Sequence, residues 1–408
     1  MTDDLPMRPI DDSEWPAFWA TIARTFHGDV HDDESAFDRS VFEPERSLAI
    51  FDGDTPVATT GIYTRDLSVP GGAVIPAAHV TLVSVLPTHR RRGLLTRMMR
   101  RQLADVRAAG EPVAVLWASE EPIYGRYGYG TGSYYISIDA DTREVRLPDT
   151  PATPGTLRLV EPTDVVDQLA ATYERATTRT PGFSSRPGPW WKHRLTDLER
   201  HRGGASALRC VVHETASGIT GYALWRAKEE WDATGPISQV KVEELVTDDV
   251  ATRASLWRFL FDLDLIRRLS AQLVATDDPL FHLVDAPRRL RRRITSGLHV
   301  RIVDLPAALA ARRYPVPVDL VLEVTDELLP DNTGRWRLVG NREKATCEPT
   351  TDSPDLRLGI RELGAIYLGG TPVGSLAATG LITGSPDAVA AAHAGFSWPV
   401  APFSPAVF

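Results

Sequence analysis

Cysteine is scarce: Cys210 and Cys347 are the only two in 408 residues, far apart and without metal-ligand spacing. A disulfide framework and a thiolate metal site are therefore not expected, and both read as buried free thiols. No apolar run approaches the length of a membrane span. The opening MTDDLPMRP is acidic, unlike a secretory leader, so a cytoplasmic protein with no membrane partner is expected. Positive charge is outweighed as well. A net charge of −9 argues against a nucleic-acid partner and suits a cationic one. Two phosphate-binding signatures are missing, GxxxxGK[ST] and GxGxxG. What remains is an ordinary globular composition, 43% apolar and 24% charged, long enough for two or three domains.

The informative stretch is Thr81–Thr96, TLVSVLPTHRRRGLLT. Leu82, Val83, Val85 and Leu86 read as a buried strand that Pro87 ends, because proline has no ladder donor. His89-Arg90-Arg91-Arg92-Gly93 follows, then a helical pattern to about Ala109 with Leu94, Met98, Leu103 and Val106 on one face. A strand feeding an Arg-rich, Gly-containing turn that opens a helix is an anion cradle in outline. Free N–H groups and the positive dipole end meet cationic side chains there. Arg90, Gly93 and Leu95 fall on the [Q/R]xxGx[G/A] pattern of the coenzyme A pyrophosphate loop in GNAT acetyltransferases, with Leu95 departing from its small-residue position.

Around this loop the order β-α-α-β-β-β-α-β is that of a GNAT fold, in which the fourth and fifth strands splay apart. Pro112–Trp117 supplies the fifth strand, and SEEPIYGRYGYG follows with Tyr124, Tyr127 and Tyr129 alternating with glycines. Glycine there permits positive φ or close backbone approach. The Pro-rich 148–155 reads as a linker. Beyond it, VEELVTDDVATRASLWRFLF repeats the strand–turn–helix of the first unit, but its turn is Asp248-Asp249, which would repel a pyrophosphate. The basic run 288–293 reads as a solvated helix end or an oligomer contact. From about Leu298 a further α+β unit is expected, ending in the charge-free tail WPVAPFSPAVF, which should fray unless it docks.

The blocks PTHRRRGLL and SExxIYGRYGYG together resemble the Eis (enhanced intracellular survival) family of multi-acetylating N-acetyltransferases. The resemblance implies an α+β chain of tandem GNAT folds, the second degenerate, followed by a sterol-carrier-protein-like domain: 1–147, 156–296 and 297–408. It also implies acetyl-CoA as co-substrate without a metal, and amines of aminoglycosides, polyamines or lysine side chains as acceptors. Assembly as a homohexamer, a trimer of dimers, is implied too. By the family match Tyr124 is the general acid, although the residues alone leave Tyr127 and Tyr129 open, and the α-carboxylate of Phe408 is the base. Ser119 and Glu120 match family positions at the cofactor.

The chemistry of acetyl transfer completes the expectation. Backbone N–H groups of Arg91, Arg92, Gly93, Leu94, Leu95 and Thr96 can hold the pyrophosphate. The strand edge Val83-Ser84-Val85 can pair with the pantetheine amides, with an N–H near Val83 facing the thioester oxygen. A phenol suits protonation of the departing thiolate. The acidic stretch Asp29–Glu34 reads as a solvated helix start or as a rim attracting a cation. The alternative from another class is an acyl or ligand carrier in which the GNAT scaffold is inactive.

Overall fold

A computed structural model describes residues 5–148 and 154–408. The linker reading at 148–155 thus falls mostly on 149–153, outside the described residues. The chain forms two compact units, each of non-contiguous pieces. One comprises residues up to Ser133, Gly297–Pro399 and Phe408; the other comprises Tyr134–Ser296 and Val400–Val407. The linear segments 1–147, 156–296 and 297–408 and the compact bodies are different divisions of the chain.

In the first unit, strand β1 (Met7–Arg8) precedes helices α1 (Trp15–Thr25) and α2 (Asp32–Arg39). Trp15, Phe18, Trp19 and Ile22 bury one face of α1. Phe26, which shares their spacing, lies past the helix end and is exposed. Strands β2 (Leu48–Asp52), β3 (Thr55–Ser68) and β4 (Val74–Val85) form an antiparallel meander. Helix α3 (Leu94–Ala108) carries the chain to β5 (Val113–Trp117), parallel to β4. Leu94, Met98, Leu103 and Val106 are all buried, as the pattern requires. A single-turn helix α4 (Glu121–Tyr124) and β6 (Gly130–Thr131) follow.

The second unit opens with β7 (Tyr134–Asp141), then β8 (Thr156–Val160), α5 (Val166–Thr177) and α6 (Gly188–Leu195). Strands β9 (Arg209–Thr215) and β10 (Gly218–Lys228), a small ribbon β11 (Trp231–Asp232) and β12 (Gly235–Pro236), and β13 (Ser238–Thr247) lead to α7 (Val250–Phe261). Then come β14 (Ile266–Ala275), α8 (Leu280–Leu283) and β15 (Arg293–Ser296). β10 and β13 are antiparallel, β13 and β14 parallel, and α7 connects the parallel pair. This repeats β3–β4–α3–β5 and carries the duplication inferred from the sequence into the structure.

The chain then returns to the first unit. Strand β16 (Leu298–Ile302) pairs antiparallel with β5, register Leu298↔Trp117 to Ile302↔Val113, and β6 lies on its other side. β7 holds the corresponding place beside β14 in the second unit. Each sheet is thus completed by a strand that lies outside its own linear segment. Beyond β16, α9 (Leu305–Ala311), β17 (Val318–Thr325), β18 (Gly334–Gly340), β19 (Ala345–Pro349) and β20 (Leu356–Gly359) follow. Helices α10 (Ile360–Tyr367) and α11 (Val373–Ala378), β21 (Ile382–Gly384) and α12 (Pro386–Phe396) complete a five-stranded sheet with helices. Asp304 caps α9 by accepting from the Ala307 N–H (3.0 Å). The side chains of Arg312, Tyr314, Tyr367 and Phe396 fill this core, and the Arg312 guanidinium donates to the carbonyls of Tyr367 and Phe396.

Candidate active site at the splayed strands

β4 and β5 pair as Ala77↔Val113, Ala78↔Ala114 and His79↔Val115, and no further. Past His79 the strands diverge, leaving the β5-facing edge of residues 80–85 without a ladder partner among the described residues. The cause is local. β4 bulges against β3 between Thr81 and Ser84, and Leu82 takes φ +53°, a left-handed conformation that costs a branched residue on the order of 1 kcal/mol or more. The Leu82 carbonyl accepts from Thr59 Oγ1 (2.8 Å), and the Ser84 hydroxyl shares a 2.7 Å hydrogen bond with the same group. The Ser84 side chain is committed inward, so what Ser84 offers a ligand is main chain; Val83 and Val85 are half-buried beside it.

At the end of β4 the loop 86–93 turns into α3. Arg91 (φ +63°) and Gly93 (φ +80°) both take left-handed backbone. A Cβ at Gly93 would meet nothing within 4 Å, so the space over the helix start is open. Among the described residues no side chain caps that start, and no acidic residue lies in its first turn. The loop's Arg90, Arg91 and Gly93 are exposed. Unsatisfied N–H groups, a positive dipole end, free volume and cations together fit a pyrophosphate. Leu94 is buried and contributes its N–H alone, while Leu95 packs against the cores on both sides of the helix, which accounts for its departure from a small residue. Thr96 Oγ1 lies 3.1 Å from the Tyr127 hydroxyl and ties the loop's helix to the tyrosine segment.

The three tyrosines differ in what surrounds them. Tyr127 is buried and engaged with Thr96. Tyr129 is fully buried, and burial pushes its phenol far above the ordinary value. Tyr124 is half-buried on α4, its ring edge-on to Tyr129 at 6.0 Å. Desolvation, then Tyr127 and Glu120, raise the Tyr124 phenol to about 12, so it keeps its proton at neutral pH. Ser119 and Glu120 lie on the bend after β5, and both are exposed.

The glycines of this segment have packing reasons that sequence alone does not reveal. A Cβ at Gly128 (φ +83°) would lie 2.7 Å from Ile360 and 2.8 Å from Arg301; one at Gly130 would lie 2.0 Å from the Arg361 carbonyl oxygen. Arg301 on β16 is completely buried, pairs with Asp326 at 2.7 Å, and its charge favours the ionised form of Tyr129. Residues some 170 to 230 positions away thus shape the tyrosine segment. At the root of the splay, the Phe408 ring lies 4.6 Å from the imidazole of His79. His79 is fully buried, and desolvation and Arg65 hold it well below its usual value, so it is neutral. The acidic stretch Asp29–Glu34 leads into α2, with Asp29, Asp32 and Asp33 exposed.

In the second unit the same position is closed. Only Asp248 and Asp249 separate β13 from α7. Asp249 caps the helix by accepting from the Thr252 N–H (2.8 Å), and Asp248 is held by Arg175 (2.7 Å) and Arg179 (2.8 Å). At the bulge of β13, buried Glu244 accepts from Arg186, Arg194 and the Tyr222 hydroxyl. The chain's own carboxylates occupy the anion position. The basic run 288–293 is also engaged in part, since Arg289 pairs with Glu144 at 3.1 Å.

Comparison with known proteins agrees with this geometry. Residues 6–132 and 182–302 each match an acetyltransferase (GNAT) domain family, and residues 305–405 match a sterol carrier protein domain. An N-acetyltransferase of Streptomyces avermitilis is 45% identical over 99% of both chains. N-acetyltransferase Eis of Mycobacterium tuberculosis is 34% identical over 91% of this chain and 90% of its own. The chain belongs to the Eis family of N-acetyltransferases. The crystal structure of Eis1 from Mycobacterium abscessus superposes with a TM-score of 0.86 at 33% identity, covering 99% of this chain and all of that one. The Eis assignment makes the protein an acetyltransferase of a fold that draws its acetyl group from acetyl-CoA. It sets aside the reading in which the GNAT scaffold is inactive. Among the described residues no helix is long and apolar enough to cross a membrane, and no cluster of His, Cys, Asp and Glu is arranged to hold a metal.

Proposed function

We propose that this Eis-family enzyme transfers acetyl groups from acetyl-CoA to amines of polycationic acceptors (aminoglycosides, polyamines or lysine side chains), at more than one position per molecule. The observation that carries the reading is the β4–β5 splay, with an open anion cradle where β4 ends and Phe408 where the strands part. Acetyl-CoA supplies the activated thioester. Backbone N–H groups of residues 91–96, with the side chains of Arg91 and Arg92, grip the pyrophosphate; Ser119 and Glu120 flank the cofactor. The unpaired edge at Val83–Val85 lines up the pantetheine arm, and an N–H near Val83 stabilises charge on the thioester oxygen.

Two residues move protons. The α-carboxylate of Phe408, whose ring lies against His79, takes the proton of the attacking ammonium group, directly or through water. The Tyr124 phenol protonates the departing thiolate, its raised value keeping it loaded until then. The exposed carboxylates of Asp29, Asp32 and Asp33 and the net charge of −9 favour cations at the rim. We further read the working assembly as a hexamer in the cytoplasm, checked by light scattering and cell fractionation.

The direct test measures thiol release from acetyl-CoA with a panel of aminoglycosides, polyamines and lysine peptides, and counts acetyl groups by mass. Acetylated product with polyamines and aminoglycosides is expected. Turnover confined to monocationic amines would refute the acceptor class. A protein extended by a few residues beyond Phe408 should lose turnover while still binding coenzyme A; full activity would remove the carboxylate from the mechanism.

A further inference from the structure

A general acid works only where its proton meets the leaving atom, and a misplacement of about 1 Å costs on the order of 100-fold in rate. Tyr124 is the last residue of α4, a single turn, and one turn of helix does not hold its own shape. Its position has to come from what the segment rests on. Every residue of that support lies in the same compact unit as Tyr124.

The chain reverses at Gly128 (φ +83°), and the reversal is tied back to Tyr124. The Tyr129 N–H donates to the Tyr124 carbonyl (3.3 Å), and the Gly128 N–H donates to that of Gly125 (3.1 Å). The Arg301 guanidinium lies against this reversal: a Cβ at Gly128 would be 2.8 Å from its Nε and 3.0 Å from its Cζ. Arg301 is completely buried and is held at two points. One arm donates to the Ile302 carbonyl (2.7 Å) and the other to Asp326 Oδ1 (2.7 Å). Asp326 is buried as well and is fixed by three further donors, the Leu328 and Leu329 N–H groups (both 3.2 Å) and Asn332 Nδ2 (2.9 Å). Leu328 and Leu329 in turn pack into the cluster that holds Ile123, Tyr124, Tyr127 and Tyr129. The ion pair therefore meets the tyrosine segment twice, at Gly128 through the guanidinium and at the rings through the two leucines.

We propose that Arg301 is a positioning residue for catalysis: its guanidinium, locked by Asp326, is the floor on which the turn from Tyr124 to Gly130 rests, and it sets where the Tyr124 phenol is presented. The proposal rests on the reading of Tyr124 as the general acid. Packing alone does not call for a charge here, since apolar side chains of similar volume often stabilise a fold as well as a buried ion pair does. What the pair adds is a single arrangement. The guanidinium is planar and its donors are fixed relative to one another, so the bonds to Ile302 and Asp326 together define its plane. The absence of a Cβ at Gly128 lets the backbone settle on that plane. β16 and the loop after β17 thereby join the acetyl-transfer machinery, although neither belongs to the first linear GNAT segment.

The test uses the full-length protein with Arg301→Lys, with Arg301→Met combined with Asp326→Asn, with Tyr124→Phe, and with each Arg301 change placed on Tyr124→Phe. The combined change removes both charges, so neither is stranded; Arg301→Lys keeps both and supplies the same comparison if the combined change does not fold. Thermal melts and coenzyme A titration establish that each variant is folded. The combined change should lower kcat about 10- to 100-fold, with the KM for acetyl-CoA and the affinity for coenzyme A within about twofold of the parent. Arg301→Lys should show the same split at smaller size. On Tyr124→Phe, neither Arg301 change should cost more than about twofold further, because its effect runs through the hydroxyl already removed. If Tyr124→Phe lowers kcat but the folded Arg301 variants keep the parental kcat, the positioning role is overturned and the acid reading stands. An equal loss with and without the Tyr124 hydroxyl overturns the role as well, and so does a loss of coenzyme A affinity in step with kcat. A parental kcat in Tyr124→Phe overturns the acid reading, and the positioning role with it.

Discussion

Gly93 has two separable reasons to be glycine, and a pair of substitutions tells them apart. Its φ of +80° disfavours a side chain on backbone grounds, and its open Cβ direction is the space a pyrophosphate needs. Because a Cβ there meets no protein atom within 4 Å, Gly93→Ala incurs only the left-handed penalty, roughly 1 kcal/mol. For a unit of this size that is about 2–4 °C in Tm. Asn tolerates this conformation, so Gly93→Asn should melt within about a degree of the parent. Binding should not recover with stability. A side chain at residue 93 displaces the anion from the N–H groups of the helix start. Loss of one charge-assisted hydrogen bond, about 1.5–3 kcal/mol, weakens coenzyme A about 10- to 150-fold. Calorimetric titration with coenzyme A, beside thermal melts, measures both effects. Gly93→Asn binding coenzyme A within about twofold of the parent would refute the cradle and leave Gly93 a turn residue only.

Further outcomes follow from other parts of the structure. Tyr124→Phe should reduce kcat about 10²- to 10⁴-fold with little change in coenzyme A affinity, as stopped thiol-release assays will show, whereas Tyr127→Phe should affect activity mainly through the Thr96 contact. Burial alone would raise the Glu244 carboxyl, but the charges of Arg186 and Arg194 and hydrogen bonds from Arg186 and Tyr222 outweigh it and hold it at about 2. A depressed carboxyl stabilises the fold above its unfolded value and loses that contribution as pH falls from about 4.5 towards 2. Glu244→Gln should therefore cost about 3–5 kcal/mol at pH 7, by stranding Arg186, and show a flatter stability between about pH 4.5 and 2 in urea titrations. A fragment of residues 1–147 lacks β16 and leaves the apolar β5 as an open edge, so it should aggregate, while co-expression with 297–408 should yield soluble protein on size-exclusion chromatography.

Much of the local structure around the splay was legible because its signals are local. The strand–Pro–Arg–Gly–helix pattern depends on neighbours in sequence, and the helix face of Leu94, Met98, Leu103 and Val106 follows from period alone. The Asp248-Asp249 turn announced a closed second copy for the same reason. The failures are of another kind. Phe26 continues the α1 spacing but lies outside the helix, because periodicity does not mark where the last turn ends. Nothing in LHVRI said which sheet it would join, since β5 and β14 both offer an antiparallel edge to an alternating strand. Arg301 and Ile360, which make glycine obligatory at Gly128, were invisible for that reason. The different depths and partners of the three tyrosines were also out of reach, since no local pattern encodes them.

The exchange of β7 and β16 bears on why a degenerate copy persists. Were each fold closed on itself, either could be removed without opening the sheet of the other. As built, β5 is covered by β16, whose Leu298, Val300 and Ile302 are fully buried, and β14 is covered by β7. A chain lacking the intervening segment would have to bring β16 back to β5 by another route. The carboxylates at this position of the second copy are engaged within the fold. Asp249 caps a helix, Asp248 gathers two arginines, and Glu244 sits at the bulge with three donors.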